Sequence, residues 1–350
     1  MPRDASPANL ARVKRILVVG AGVIGSVYAA RLAEGGHRVT LVARGRRLRE
    51  LEERGLRLRQ VLLGADERVE VEVVPSPKPA SWDAIVVAVR ADQIDPTLAS
   101  LSATDAKAIA VIGNNLGDPR AQQLTAGPER LVLGFGAFGG VRTGDGRIDY
   151  VDGRSRWRSS TRRRRATTLG VLSDRARPAL ALVQAALDDA RVPYATSEDI
   201  VGWLQCHAAL VLPLAAAINA TGGDQDRFCR TRDAVVLGLR AVRELLRALR
   251  SLGVETQPAG LRHLLRIPEP LLVPLIQRRL AGESARVAVF GHATAEGGHD
   301  ELDFLGRTLD VRVRGAPGHR PAWTRLAPWF LPDRPPLIPD GARALTLRPL

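Results

Sequence analysis

The sequence predicts an α/β N-terminal domain followed by an all-α C-terminal domain. Three observations carry that expectation. Short apolar runs alternate with helical stretches up to about Asp145. A glycine-rich turn, Gly20-Ala21-Gly22-Val23-Ile24-Gly25, joins the first such run to a helix. From Glu198 onward strand signals nearly vanish.

Residues 15–19 (RILVV) read as a buried strand and 23–34 as a helix stopped by Gly35-Gly36, since glycine suits a C-terminal cap. Residues 37–43 form the second strand, followed by strands at 84–89, 108–112 and 131–138. Continuous apolarity says these strands are covered on both faces, as in a parallel sheet of βαβ units. Past Asp145 a polar, hairpin-like segment runs through an arginine cluster to a strand-like stretch at 167–172 and a helix at 177–190. Five helices follow, at 199–220, 232–252, 258–265, 270–280 and 299–309. Ser197 reads as an N-cap, which places the domain boundary there. The resulting division is a dinucleotide-binding domain at 1–197, a helical domain at 198–311 and a Pro/Arg-rich tail at 312–350. That tail is expected to be extended or poorly ordered.

A chain of 350 residues fits two domains at about 150 residues each. With 45% apolar and 25% charged residues it has the composition of a soluble globular protein. No apolar run approaches the roughly 18 residues that cross a membrane, and the first 15 residues lack the apolar stretch of a signal peptide. A cytoplasmic protein without a membrane partner is the expectation. Cys206 and Cys229 make no disulfide scaffold and lack metal-ligand spacing, so no metal is expected.

The net charge of +14 raises nucleic acid as a partner. Lys14, Lys78 and Lys107 are the only lysines, however, and arginine spread among Ala, Leu and Gly reads as a coding bias. The dense cluster at 154–165 contains one aromatic, Trp157, and reads as a solvated loop, with a polyanion-binding patch as the alternative. No nucleic-acid partner is expected.

The glycine turn matches GxGxxG in the context that gives the pattern meaning, after a strand and opening a helix. Gly20 permits the tight turn, Gly22 lets a pyrophosphate approach the backbone, and Gly25 allows close helix–strand packing. Ala21, Val23 and Ile24 complete the loop, and the helix start offers free N–H groups to the phosphates. An NAD-specific site of this Rossmann type places a carboxylate at the end of the second strand. Here Arg44 stands there, with Arg46 and Arg47 close behind, so the cofactor expected is NADP(H), its 2′-phosphate held by a guanidinium.

These residues resemble the ketopantoate reductases (2-dehydropantoate 2-reductases). GAGVIG, then LVARG and RLRELEERGLRLR, is close to that family's opening. The strand ending Ala88-Val89-Arg90 resembles one that usually ends in lysine, and Asn114-Asn115-Leu116-Gly117 resembles an Asn-Gly-x-Gly loop. The first asparagine of that loop contacts the nicotinamide side of the cofactor, so Arg90 and Asn114 join the cofactor-binding set. Residues 136–140 fit the glycine-rich strand that follows. The resemblance covers most of 13–310, is strongest up to residue 145, and implies NADPH-dependent reduction of a 2-oxo acid or related small carbonyl compound in an interdomain cleft. It also implies a homodimer.

The second half departs from the pattern. The resemblance calls for Lys-x3-Asn-x3-Asn-Pro on its first helix, the lysine serving as acid. Anchoring on Pro213 puts Leu204, Ala208 and Leu212 at the polar positions, and no lysine follows Lys107. His207 is the polar substitute, three residues on and about 60° around the helix. An imidazole, with an ordinary pKa of about 6.5, donates a proton to a carbonyl at neutral pH; a histidine satisfied in the core is the alternative. Asp300-Glu301-Leu302-Asp303-Phe304 resembles the family's Thr-Glu-x-Asp-Tyr, making Glu301 the second candidate, against the alternative of an acidic helix start. His292 and Thr294 lie where the family has a serine-rich substrate loop, with an ordinary loop as the alternative. The rival function is a catalytically impaired relative that senses NADP(H) or holds a partner.

Overall fold

The computed structural model describes residues 13–77, 81–152, 166–291, 298–330 and 334–337. The chain begins with β1 (Arg15–Val19), α1 (Val23–Glu34), β2 (Arg38–Val42), α2 (Gly45–Arg54), β3 (Leu56–Gln60), β4 (Ala65–Val69), β5 (Glu72–Val74) and β6 (Trp82–Val87). There follow α3 (Ile94–Leu101), β7 (Ala106–Ile112), α4 (Pro119–Ala126), β8 (Leu131–Phe135), β9 (Gly139–Arg142) and β10 (Ile148–Val151). Then come β11 (Thr167–Gly170), α5 (Arg177–Asp189) and β12 (Tyr194–Thr196). The helical half holds α6 (Ile200–Ala220), α7 (Gln225–Arg230), α8 (Arg232–Ser251), α9 (Ala259–Leu264) and α10 (Glu269–Leu280), then α11 (Gly298–Val313) and α12 (Pro321–Leu326).

Eight strands pair in the order β12-β11-β8-β7-β6-β1-β2-β5, parallel throughout except for β11 against β8. Alternate side chains of the central strands feed two separate cores, as a period of two requires. Ile16, Val18, Ala84, Val86, Ala108 and Ala110 pack with α1 and α5. Leu17, Val19, Ile85, Val87, Ile109 and Val111 pack with α3, α4 and the start of α6. This is why the strands read as unbroken apolar runs. Together with the helical C-terminal half it makes the α/β Rossmann-type plus all-α architecture that the sequence predicts.

A second sheet, ordered β4-β3-β10-β9, is an addition to that expectation. In β3 the alternation Leu-Arg-Leu-Arg-Gln buries Leu56, Leu58 and Gln60, and leaves Arg59 exposed and Arg57 half-buried. Leu56, Leu58, Ile148 and Tyr150 join the α1 core, so this sheet covers α1. The buried Gln60 amide is satisfied by donating to Asp152 Oδ1 at 2.9 Å and accepting from Leu63 N at 2.7 Å. The single strand expected over 131–138 is two: β8 ends at Phe135, and the glycine-rich stretch turns the chain into β9 of the second sheet. The polar hairpin turns at 143–147, between β9 and β10, with Gly146 at φ +84. The arginine cluster at 154–165 lies outside the described residues.

Helix α6 belongs to both halves. Ile200 and Leu204 pack into the sheet's core, whereas Ala209, Leu212, Ala216 and Ile218 enter the helical core with α8. Its cap is Asp199, whose Oδ1 accepts from Gly202 N at 2.8 Å, rather than Ser197. Ser197 instead donates its backbone N–H to Leu169 O, extending the sheet connection. Contrary to the sequence expectation, this 21-residue uncharged helix is long and apolar enough to cross a membrane by length and composition. It is a core helix here, 67% of its most apolar stretch being buried within the fold.

The tail also departs from the extended form expected. Trp323, Leu326 and Phe330 are buried in the helical core, and Glu244 on α8 accepts from Ala322 N at 3.2 Å and Trp323 N at 2.9 Å. Those bonds satisfy the first amides of α12, so the carboxylate of another helix acts as its cap. Further on, Leu337 N donates to Ala220 O at 2.8 Å. Aromatic anchors outweigh a proline- and arginine-rich composition.

Candidate active site

The glycine turn is shaped by three different constraints. Gly20 sits at φ +107, and a Cβ there would lie 2.4 Å from Ala88 O at the end of β6. A Cβ on Gly25 would lie 1.8 Å from Gly20 O, so the helix can rest on the strand only without a side chain. A Cβ on Gly22 would meet nothing within 4 Å, which makes this glycine the open side of the turn. Gly22 is also the N-cap residue of α1 and supplies no side-chain acceptor, leaving the first N–H groups of the helix to an anion. Ala21 is buried beneath, and Val23 and Ile24 are half-buried. This is an open backbone position at a helix N-terminus.

Under the turn lies a residue whose role the sequence reading left open. Arg47, in the first turn of α2, is only 7% exposed. Its Nε donates to Ala21 O at 3.1 Å, Nη1 to Gly146 O at 2.6 Å and Glu50 Oε2 at 3.3 Å, and Nη2 to Ser26 Oγ at 3.3 Å. Burial pulls the Arg47 pKa below the usual guanidinium value, against the raising effect of its bond to Glu50. One guanidinium thus ties the glycine turn, α1 and the β9–β10 turn together. Arg44 is different: it is exposed at the end of β2, where it is the N-cap residue of α2. Arg46, also exposed, pairs with Glu50 at 3.2 Å.

The carboxyl ends of β6 and β7 carry Arg90 and Asn114. Arg90 is 40% exposed, its Nε 3.6 Å from Asp92 Oδ1. A Cβ on Gly113 would lie 3.8 Å from Val89 O, so the two strand ends run side by side. Asn114 is half-buried and makes no hydrogen bond among the described residues, whereas Asn115 is held by Gln122 at 2.7 Å. Gln122 in turn donates to Asp95 Oδ1 at 2.7 Å. The second asparagine braces the loop and the first is left available.

Glu301, in the first turn of α11, is buried and accepts from Ala91 N at 3.3 Å. This bond crosses from the helical half to the residue beside Arg90. Gly20, Arg90, Asn114 and Glu301 therefore gather around the ends of β1, β6 and β7. His207 stands one strand further along. Its ring lies 3.9 Å from that of Phe135 at the end of β8 and is stacked on Trp203 at 5.3 Å and 5°. Leu204, Ala208 and Leu212 are buried at 4%, 3% and 0%, so no polar group replaces the amino-acid pattern there. His292 and Thr294 fall outside the described residues.

Two further polar residues sit behind the asparagine loop. A cavity of about 10 Å³, the volume of roughly one water, is lined by Asn115, Leu204, Gln205 and Arg312 among others. Gln205 Oε1 is buried with no hydrogen-bond partner among the described residues, and Arg312 Nη2 donates to Leu116 O at 3.4 Å. Neither was legible in the sequence, because each is recognisable only once α6 and α11 meet the loop after β7.

A parallel sheet with the glycine turn at its centre, joined to a helical half by α6 and Glu301, defines a Rossmann-type two-part α/β protein. Residues 16–160, less than half of the chain, match the family model described as Ketopantoate reductase PanE/ApbA. A 2-dehydropantoate 2-reductase of Archaeoglobus fulgidus is 30% identical over 123 residues, a match covering 35% of this chain and 39% of that enzyme's length. Among solved structures, the 2-dehydropantoate 2-reductase of Geobacter metallireducens superposes with a TM-score of 0.68 at 16% identity, covering 90% of this chain and 98% of that one. D-mandelate dehydrogenase, solved with NADH and anilino(oxo)acetate, gives 0.66 at 14%, covering 90% and 97%. At such identities these structures establish the shared fold.

Replacing Arg47 with methionine keeps the stem and removes four hydrogen bonds, so Ala21 O keeps only Ser26 Oγ at 3.2 Å and Gly146 O loses its Arg47 donor. The expected cost is about 2–4 kcal/mol, from the Gly146 carbonyl deprived of its Arg47 donor and the lost charge-assisted bonds. Urea denaturation of Arg47→Met checks it, and a loss below about 0.5 kcal/mol would show that the tie is dispensable.

Proposed function

We propose that the protein is an NADP(H)-dependent reductase of a 2-oxo acid or related ketone. The substrate would sit between the carboxyl edge of the large sheet and the helical half, with the division of labour at 1–197 and 198–311. The observation that carries the reading is the open space at Gly22 before the uncapped start of α1, with Arg44 in place of a carboxylate at the end of β2. The residues fit a dinucleotide: Gly20, Ala21, Gly22, Val23, Ile24 and Gly25 for the pyrophosphate, Arg44 for a 2′-phosphate, and Arg90 and Asn114 toward the nicotinamide. When bound, the dinucleotide supplies the hydride.

The chain's own residues orient the carbonyl and deliver the proton. His207 is the proposed acid, its ring plane fixed by Trp203 and Phe135. Glu301 holds the Arg90–Ala91 turn through the Ala91 amide and keeps Oε2 for substrate or nicotinamide. Arg90 and Arg312 are the cations the site offers in place of a lysine ammonium. The fold of D-mandelate dehydrogenase accommodating anilino(oxo)acetate supports an oxo-acid substrate. A second reading, binding of NADP(H) without turnover, is favoured by the buried apolar row Leu204, Ala208 and Leu212.

NADPH should bind more tightly than NADH, and Arg44→Glu should weaken NADPH about ten- to a hundredfold while leaving NADH little changed. Calorimetry on both cofactors decides it; equal affinities in the unmodified chain would remove the NADP(H) assignment. Turnover is tested by a screen of 2-oxo acids and ketones followed through NADPH absorbance. With an active substrate, His207→Ala should lower kcat about 100- to 10,000-fold with KM little changed. An unaltered kcat would assign the proton to a bound water, with Arg90 and Arg312 polarising the carbonyl. Glu301→Gln keeps an acceptor for Ala91 N, so a fall in kcat there marks a role for the charge and unchanged kinetics a structural one.

A further inference from the structure

On the helical half, well away in sequence from the glycine turn, five arginines face one concavity. Arg243, Arg247 and Arg250 recur at i, i+4 and i+7 along α8, which puts them on one face. The segment 256–268 approaches that face and adds Arg262 and Arg266. The space between holds about 370 Å³, within the usual range of small-ligand pockets, and no Asp or Glu is among its lining residues.

Like charges spaced four apart on a helix repel, and guanidinium groups do not escape by losing a proton. Two glutamates relieve part of this. Glu269 takes Arg243 at 3.3 Å but is shared with Arg240 at 2.9 Å, and Glu255 takes Arg262 at 3.3 Å. Arg243 Nε remains buried without a partner among the described residues. Arg247 donates Nε to Arg243 O at 3.1 Å, which supplies no countercharge. Arg250 and Arg266 have no side-chain acceptor among the described residues, so two forks are left for an external anion. Leu246 is buried and Ile267 half-buried in the lining, giving an apolar floor between the charges.

We propose that this groove binds a small organic phosphate carrying at least two negative charges. Arg250 and Arg266 take the phosphate oxygens bidentately, and the carbon framework lies over Leu246 and Ile267. The arginines line the inside of a concavity rather than a track along the surface, and no aromatic residue lines it to stack bases. Both features favour a compact phosphate ester over a nucleic-acid strand. None of its lining residues belongs to the glycine turn, the asparagine loop, Arg90 or Glu301, so the inference does not rest on the reductase reading.

ADP is the probe, titrated calorimetrically into the full-length protein. Because ADP can also enter the glycine turn, three proteins are compared. ADP should keep its groove binding in Gly22→Val, and the doubly substituted Arg250→Gln, Arg266→Gln protein should bind at the groove about ten- to a hundredfold more weakly. Binding lost in Gly22→Val and kept in the double variant would place the ADP in the dinucleotide turn and overturn the proposal. So would a single-stranded oligonucleotide that binds through these arginines and is not displaced by ADP. Circular dichroism of the double variant, expected to match the unmodified protein because both side chains are exposed, separates lost binding from lost folding.

Discussion

Everything at the candidate site depends on how closely α1 rests against the end of β1. A Cβ at Gly25 would lie 1.8 Å from Gly20 O, and one at Gly20 would lie 2.4 Å from Ala88 O, so the helix, its own strand and β6 meet with no room for side chains. That contact points the uncapped start of α1 at the open side of Gly22. It also brings the ends of β1, β6 and β7 into one row, where Arg90 and Asn114 emerge. The glycines do not make an anion site by being flexible; they let backbone sit where side chains would otherwise stand.

The helical half is fixed to that row by two links of different kinds. One is apolar: α6 starts in the sheet's core at Ile200 and Leu204 and ends in the helical core. The other is polar, the bond from Ala91 N to Glu301. Because Leu204 is engaged in the first link, the face of α6 where the resemblance calls for a lysine is structural in this chain. The polar side chains nearest that position on α6 are Gln205 and His207, on either side of the Leu204 face. His207 meets β8 rather than β6 or β7, which shifts any proton donor along the strand row.

Much of this was legible in the sequence. Unbroken apolar runs announced strands buried on both faces, and the glycine spacing announced the turn, because both patterns are local. The second sheet was hidden by Arg57 and Arg59, which interrupt the apolar content of β3 while leaving its period of two intact. The tail's helix was hidden by prolines, although Trp323 and Phe330 carried the packing signal. Arg47 could not be told from Arg44 and Arg46, since only the fold buries one of three neighbouring arginines under the turn. Gln205 and Arg312 depend on the meeting of α6, α11 and the loop after β7, which no local pattern encodes.

The central claim is that the open side of Gly22 receives the phosphates of a dinucleotide. Titration of NADPH by its fluorescence into Gly22→Val tests it most directly, because valine there fills space that no protein atom occupies within 4 Å. The account predicts that NADPH binding is abolished while the melting temperature and circular dichroism stay those of the unmodified chain. Undiminished NADPH affinity in a folded Gly22→Val protein would contradict it.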